Sequence, residues 1–302
     1  MSQHHKPTDL LGFHISVADG LQTGFEYALA NGCRTVQIFA GSKLSAGLKD
    51  KTKYDDATRL TLKKYIASNN IHLFIHSVYI INMCKYPASS GRAKYIHTNL
   101  LHDLQLASDI GAVGVVIHLG SSVGNSKEVA ITNLVSNLTH IAKEMPSGVR
   151  LILESSSGQG NQVGVALEDF HAIYAAIPAI LRRRIGICLD TAHIAASGVA
   201  INTLDGAKAY LAEFERLFGM DKLLAVHLND NPYPVGSRRD VHEEIGHGTL
   251  FKKPANLEAL EWLLAVMRKH NVPIILETSG AGKEGSSYPA QITYLRKWVS
   301  AN

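Results

Sequence analysis

Nine acidic and imidazole side chains stand at or just beyond the ends of apolar segments in this chain of 302 residues. They are His76, His118, Glu154, Asp190, His193, His227, Asp240, His242 and Glu277. Nitrogen and carboxylate ligands without thiolates suit zinc, manganese or iron, and imidazole in this number favours zinc. Because a zinc ion takes about four protein ligands, the set is too large for one ion and large enough for two or three if a carboxylate bridges.

Closely spaced divalent metals are typical of phosphoryl-transfer sites, where they generate hydroxide, neutralise the phosphate and stabilise the leaving oxygen. His193 follows Asp190 by three residues, and Asp240 and His242 are two residues apart, a spacing that lets both face one ion in extended chain. Each residue alone has a plainer interpretation, as a hydrogen-bonded structural group or, for Glu154, a salt bridge. Acids crowded on one rim, however, would repel one another without cations.

Eight short apolar, β-rich runs would position these side chains. The runs cover residues 11–17, 33–40, 71–79, 111–120, 149–155, 184–193, 223–230 and 272–279. Helix-like stretches separate them, and Gly32, Gly111 and Asn271 stand where the C-terminal caps of helices belong. The last polar residues of the strands expected within these runs are His14, Gln37, His76, His118, Glu154, Asp190, His227 and Glu277.

The alternation of strands and helices predicts a parallel sheet. Eight such units over about 290 residues predict an α/β fold with a single-domain, closed (β/α)8 TIM barrel, which carries its chemistry at the carboxyl ends of the strands. The domain is expected to span residues 1–302, with its core at residues 11–300. An open doubly wound sheet is the alternative, but it would carry a glycine-rich phosphate loop after the first strand, which HISVADGLQTG does not match.

Composition limits the class of protein. With 46% hydrophobic residues the chain can bury a large core, yet it has no apolar run long enough to span a bilayer, and its polar N-terminus lacks a signal core. Three cysteines without a C-x-x-C pair argue against a disulfide framework and favour a reducing, cytoplasmic location. A net charge of +4 permits a polyanionic partner without demonstrating one.

Eight motifs distributed over residues 11–300 are weak one by one and highly specific as a set. They are GFHISVADGL, HSVYIIN, VVIHLGS, LILESSSGQG, ICLDTAH, VHLNDN, SRRDVHEEIGHG and IILETS. Together they resemble the endonuclease IV family, the metal-dependent apurinic/apyrimidinic (AP) endonucleases of base-excision repair.

The resemblance implies three zinc ions, with Mn²⁺ or Fe²⁺ as an alternative at one site. The first would be held by His76, His118 and Glu154. Glu154 would bridge to the second, which is also held by Asp190, His227 and Glu277. The third would be held by His193, Asp240 and His242. Glu154 and Glu277 are the carboxylates for which the resemblance implies a catalytic role.

The implied reaction is hydrolysis of the phosphodiester 5′ to an abasic site in duplex DNA, which leaves a 3′-hydroxyl and a 5′-deoxyribose phosphate. Family members also trim blocked 3′ ends. Flipping an abasic nucleotide into the barrel mouth costs little free energy, because no base is stacked or paired there. A monomer acting on double-stranded DNA, away from membranes, is the corresponding expectation.

Tyr79 and Ile80 match positions at which the family inserts side chains into the DNA stack; packing at the rim is the alternative. Lys43, Arg238 and Arg239 belong to loops after strands and are candidate contacts to the DNA backbone, although solvated loop charge is the plainer interpretation. The chain departs from the family pattern after the second run. There GSKLSAGLKD stands in place of a DNA-penetrating loop of the Asn-x-Arg type that ends in Trp.

Two other classes of function remain open at this stage. A sugar isomerase or epimerase of the xylose-isomerase-like barrel type looks similar in its quartet of Glu154, Asp190, His227 and Glu277. Such an enzyme has no evident need for the other five residues, which are His76, His118, His193, Asp240 and His242. A non-catalytic DNA-binding scaffold on a decayed barrel would have lost ligands, and all nine are present.

Overall fold

The computed structural model describes residues 10–17, 20–40, 54–79, 81–278 and 288–299. Its strands are β1 (Leu11–His14), β2 (Thr35–Phe39), β3 (His72–His76), β4 (Gly114–His118), β5 (Arg150–Glu154), β6 (Ile185–Asp190), β7 (Leu223–His227) and β8 (Ile274–Leu276). They are hydrogen-bonded in chain order and close into a barrel. The (β/α)8 prediction is therefore confirmed, and the doubly wound alternative is excluded.

Helices follow the strands along the chain. They are α1 (Leu21–Ala30), α2 (Asp56–Ser68), α3 (Lys94–Ile110), α4 (Lys127–Glu144), α5 (Leu167–Ala176), α6 (Ala179–Arg182), α7 (Thr191–Ser197), α8 (Leu204–Phe218), α9 (Pro254–Lys269) and α10 (Tyr288–Val299), with short 3-10 turns at Gly91–Ala93 and Met220–Lys222. Within the described ranges, none of these helices combines the length and the apolar character needed to cross a bilayer.

The predicted helix ends lie within one residue of the observed ones. Gly111 is the C-cap of α3 in the left-handed conformation, with φ of 80°. Gly32 and Asn271, with φ of 69° and 53°, come one residue after the C-caps of α1 and α9. All three therefore adopt the left-handed conformation that commonly ends a helix, which glycine and asparagine tolerate best.

The chain comprises two compact units, residues 1–37 with 189–302 and residues 38–188. In the second unit, β3, β4 and β5 pair in parallel, and β5 pairs with the first residues of β6. In the first unit, β7 pairs with β8, β8 with β1, and β1 with β2. The single-domain assignment of residues 1–302 stays a prediction.

The strand bodies are apolar and buried, as expected for parallel strands covered on both faces. Close approach between strands sets the register that the site needs. A Cβ added at Gly12 in β1 would lie 1.6 Å from the carbonyl oxygen of Thr35 in β2, so only glycine fits there. The resulting register pairs His14 with Gln37, and the β4–β5 register pairs His118 with Glu154.

Candidate metal centre

The polar residues at the strand ends lie where the sequence predicts them. Six of them are the last residue of their strand: His14, His76, His118, Glu154, Asp190 and His227. Glu277 comes one residue after β8, and Gln37 lies inside β2, two residues before its end. The apolar strand bodies thus present acids and imidazoles at their carboxyl ends, the face that carries the chemistry of such barrels.

His76, His118 and Glu154 form a first cluster, with donor atoms within 4.8 Å of one another. Glu154 Oε2 lies 3.2 Å from His76 Nε2 and 3.3 Å from His118 Nδ1. His76 Nδ1 is 2.8 Å from the carbonyl oxygen of Ser77, which can only accept, so Nδ1 carries the proton of the neutral ring. The lone pair of Nε2 then faces a carboxylate, an arrangement that a cation between them stabilises.

Asp190, His193 and His242 form a second cluster that meets the same distance limit. His193 Nε2 lies 3.0 Å from Asp240 Oδ1. His242 Nε2 lies 3.5 Å from both Asp190 Oδ2 and Asp240 Oδ1. The two imidazoles of this cluster therefore share the carboxylate of Asp240, and His242 also contacts that of Asp190.

The electrostatics of the second cluster favour a cation. Burial opposes ionisation of Asp240, but the charges and hydrogen bonds of His193 and His242 hold the pKa of its carboxyl far below the ordinary value. Burial also opposes the protonated form of His242, yet Asp190, Asp240 and Glu277 raise the pKa of its imidazole. Carboxylates that stabilise a protonated imidazole also stabilise a metal ion in place of the proton.

His227 joins Asp190 and Glu277 in a third set of donors. Its Nδ1 lies 3.1 Å from Glu277 Oε2 and 3.9 Å from Asp190 Oδ2. The Asn229 side chain lies between the two acids, with Nδ2 donating to Asp190 Oδ2 at 2.7 Å and to Glu277 Oε2 at 3.2 Å. His227 and Asp190 are fully buried, so these charges are compensated within the protein rather than by bulk water.

These donor sets fit divalent metals. Bond lengths of about 2.0–2.1 Å and a tetrahedral arrangement place neighbouring ligand atoms about 3.3 Å apart. The distances from Glu154 Oε2 to the rings of His76 and His118, 3.2 and 3.3 Å, agree with this value. The donors are nitrogen and oxygen atoms, which suit zinc, manganese and iron.

The buried carboxylate of Asp190, at the end of an apolar strand, makes two kinds of contact: it caps a helix and it contacts side chains of the candidate metal centre. Asp190 is the last residue of β6 and the N-cap of α7, where Oδ1 accepts from the backbone N–H of His193 at 2.8 Å. Its Oδ2 faces Asn229 and His242. The helix cap thus orients the carboxylate and brings His193 to the site in the first turn of α7.

The segment after β7 is organised by Asp230, a residue that the sequence analysis missed. Its carboxylate accepts backbone hydrogen bonds from Asn231, Gly246, Leu250 and Phe251 at 2.8–3.2 Å. The backbone of Asp230 also pairs with that of Glu243. This buried carboxylate therefore folds the loop that carries Asp240 and His242. The available sequence signal was an acid surrounded by asparagines, followed by glycines in a stretch without periodicity.

Of the residues predicted to contact DNA, the structure describes Tyr79, Arg238 and Arg239. Tyr79 is 53% exposed, and its ring stacks on His118 with centroids 5.1 Å apart, so it borders the first cluster and faces solvent. Arg238 and Arg239 are exposed, and the guanidinium of Arg239 lies 4.4 Å from the ring centroid of Tyr233. Lys43, Ile80 and the divergent segment 41–50 lie outside the described residues.

Comparisons with known proteins identify the family of the chain. Residues 25–298 match the family described as xylose isomerase-like TIM barrel. The chain is 34% identical to "Probable endonuclease 4" of Trichlorobacter lovleyi, over 90% of this chain and 93% of that protein. It is 30% identical to the "Apurinic-apyrimidinic endonuclease" of Caenorhabditis elegans, over 89% of this chain and 66% of that protein.

Among solved structures, endonuclease IV from Thermus thermophilus is similar with a TM-score of 0.77 and 26% identity, over 97% of this chain and 99% of that one. The extent of these matches confirms the resemblance seen in the motifs. The chain therefore belongs to the endonuclease IV family of AP endonucleases, within the xylose-isomerase-like TIM barrels.

Proposed function

We propose that this protein hydrolyses the phosphodiester 5′ to abasic sites in duplex DNA and leaves a 3′-hydroxyl and a 5′-deoxyribose phosphate. Its family makes it a DNA-repair nuclease, a hydrolase that acts on DNA. The finer reaction is supported above all by one observation: buried and partly buried imidazole and carboxylate donors come together in two clusters, His76–His118–Glu154 and Asp190–His193–His242.

The proposed centre holds three zinc ions. His76, His118 and Glu154 would hold the first ion. Glu154, Asp190, His227 and Glu277 would hold the second, and His193, Asp240 and His242 would hold the third. Bound metals would supply a nucleophile at neutral pH and neutralise charge on the phosphate and the leaving oxygen.

The chain itself orients the ligands before substrate arrives. His76 presents Nε2 to Glu154 because its Nδ1 donates to the Ser77 carbonyl. Asp190 uses one oxygen to cap α7 and the other to face His242. Ligands held in this way need no reorganisation during the reaction, which is how preorganised sites lower a barrier. We assign Glu154 and Glu277 the catalytic roles among the carboxylates.

DNA recognition is proposed for side chains around the rim. Tyr79, exposed beside His118, would pack against the unstacked lesion, with Ile80 as its neighbour in sequence. Lys43, Arg238 and Arg239 would contact backbone phosphates and make binding depend on salt concentration. Blocked 3′ ends present the same phosphorus–oxygen bond to the metals, so 3′-phosphatase and 3′-phosphodiesterase activities belong to this proposal. The proposal also includes an intracellular, cytoplasmic location and a monomeric state.

The deciding experiment is incision of a duplex that carries one tetrahydrofuran abasic analogue, with an undamaged duplex alongside. The native protein is compared with Glu154→Gln and with the matched control Glu144→Gln, whose carboxylate lies exposed at the end of α4. We expect cutting 5′ to the analogue, and a loss in Glu154→Gln of more than the roughly 10- to 100-fold typical of residues that only orient ligands. The control should cut normally.

Metal content, measured by mass spectrometry on the same samples, separates the outcomes. Incision by a protein with about three zinc ions supports the proposed centre. Absence of incision by a fully metal-loaded protein would overturn the proposal and favour the sugar isomerase or epimerase alternative, which ketose and aldose substrates then test. Absence of bound metal would favour the scaffold alternative.

A further inference from the structure

Gln37 is a buried amide to which the proposed function assigns no task. It lies in β2 with no exposed surface. Its Nε2 donates to Glu277 Oε1 at 2.5 Å and lies 3.1 Å from His14 Nδ1, while its Oε1 lies 2.9 Å from His227 Nε2. One side chain thus contacts two of the proposed ligands of the second metal ion.

Two of these partners, Glu277 and His227, determine which end of the Gln37 amide is the oxygen and which is the NH₂ group. An ionised carboxylate only accepts hydrogen bonds, so the group of Gln37 that faces Glu277 must be its NH₂. Its oxygen then faces His227, and because a carbonyl oxygen also only accepts, Nε2 of His227 must carry a proton. In the neutral ring the other nitrogen, Nδ1, therefore holds the lone pair.

That lone pair faces the carboxylates of two other proposed ligands. His227 Nδ1 lies 3.1 Å from Glu277 Oε2 and 3.9 Å from Asp190 Oδ2. A cation among these three electron-rich atoms would add to the compensation that the Asn229 amide gives the two acids. With the opposite tautomer, a proton on Nδ1 would occupy the space that a metal requires, so the tautomer decides whether His227 can ligate.

Glu277 is held by amides on both oxygens. Gln37 donates to Oε1, and Asn229 donates to Oε2 at 3.2 Å. The backbone N–H of Glu277 in turn donates to Asn229 Oδ1 at 3.0 Å. The plane of the carboxylate is therefore set by two buried amides, one in β2 and one just after β7.

We propose that Gln37 is a positioning residue of the metal centre, which keeps His227 in the Nε2–H tautomer and orients Glu277 so that both present ligand atoms to the same ion. The inference rests on the proposed function, because it concerns the second of the proposed metal ions. Gln37 acts through His227 and Glu277 and has no contact with substrate in this assignment.

Two substitutions separate the two tasks of Gln37. Gln37→Met keeps the length of the side chain and removes both hydrogen bonds. Gln37→Glu keeps an acceptor for His227 and removes the donor to Glu277. Nitrogen-15 NMR of histidine-labelled, metal-free protein reports the tautomer, and competition with a chromophoric chelator reports zinc affinity.

We expect the native protein and Gln37→Glu to show His227 protonated at Nε2, and Gln37→Met to lose that preference. Zinc affinity of Gln37→Met should fall by about 10- to 100-fold, the effect usual for residues that orient metal ligands. Asn137→Leu is the matched control, because Asn137 is a fully buried amide of α4 that donates to the carbonyls of Met83, Tyr86 and Asn133. It should keep both the tautomer and the zinc affinity.

Native tautomer and native zinc affinity in a folded Gln37→Met variant would overturn the inference. Equal loss of zinc by Gln37→Met and Asn137→Leu would also overturn it, because buried-amide removal would then act through general destabilisation. If the native protein binds zinc and cuts abasic DNA, either of these two results overturns the inference about Gln37 and leaves the proposed function intact. If the native protein neither binds zinc nor cuts abasic DNA, the proposed function itself is overturned.

Discussion

Asp190 caps the helix that carries His193: its Oδ1 accepts from the backbone N–H of His193 at 2.8 Å. The same carboxylate turns Oδ2 towards His242, at 3.5 Å from Nε2. A local interaction that starts a helix and a long-range interaction within the candidate metal centre therefore share one side chain. Substitutions at this position can separate the two contributions.

Asp190→Ser and Asp190→Ala form a pair that differs in capping alone. Both remove the ligand, so both should lose zinc and incision activity. Serine still accepts from the first turn of α7, whereas alanine does not, and an N-cap contributes about 1 kcal/mol. In urea unfolding of the metal-free variants, the free energy of unfolding should therefore be higher for Asp190→Ser than for Asp190→Ala by about that amount. Equal stability would show that the cap contributes nothing here.

Gly248→Ala tests the role of Asp230 in folding the loop after β7. An added Cβ would lie 2.3 Å from Asp230 Oδ1 and 2.6 Å from the carbonyl oxygen of Asn231. We expect a loss of about 1–3 kcal/mol in unfolding free energy, the cost usual for overpacking, together with reduced zinc content. Gly91→Ala is the control, since no atom lies within 4 Å of its added Cβ. A native unfolding midpoint and full zinc content in Gly248→Ala would argue against the predicted clash.

The stability of metal-free protein should fall as pH rises through the raised pKa of His242. Burial opposes the charged ring, but Asp190, Asp240 and Glu277 raise its pKa above the ordinary value of 6.5. A raised pKa stabilises the fold fully below the unfolded value, and the stabilisation is lost above the folded value. Zinc bound at the proposed centre would replace the proton, so the zinc-loaded protein should lack this loss of stability.

Chelator-treated and zinc-loaded samples can be compared by urea midpoint across the neutral to alkaline range. His242→Asn is the control, because it removes the titrating ring and should flatten the profile of the metal-free protein. A metal-free protein that gains stability with rising pH would contradict the assignment.

Tyr79→Ala should weaken DNA binding and leave the metals in place. Its ring is 53% exposed, and stacking on an aromatic ring is worth about 1–3 kcal/mol per base. We expect a higher KM for the tetrahydrofuran duplex with native zinc content. Tyr95→Ala, at a tyrosine of α3 that is 50% exposed, is the matched control. Equal KM values for the two variants would show that Tyr79 does not contribute to DNA binding.

Cys33 and Cys84 should resist thiol reagents in the native state. Burial raises the pKa of each thiol to about 12, against a smaller opposing effect of Arg296 at Cys33. Because the thiolate is the reactive form, Ellman's reagent at mildly alkaline pH should label neither residue until denaturant is added. Rapid labelling of native Cys84, identified by peptide mapping, would show that its surroundings open in solution.

The amino-acid sequence by itself determined the order of strands and helices and the residues at the strand ends. Apolar runs that end in His76, His118 and Glu154 are visible because a parallel strand must be apolar along its length and meets solvent only at its end. Helix ends were equally readable at Gly111, since few residues other than glycine adopt the left-handed conformation there.

Only the tertiary structure decided which atoms face which. Gln37 is polar and at a strand end in the sequence, but its bonds to His227 and Glu277 join residues about 190 and 240 positions away, a separation that no local pattern encodes. Asp230 was missed for the same reason. Its four backbone partners belong to a loop without periodicity, where hydrogen bonding to one buried carboxylate replaces secondary structure.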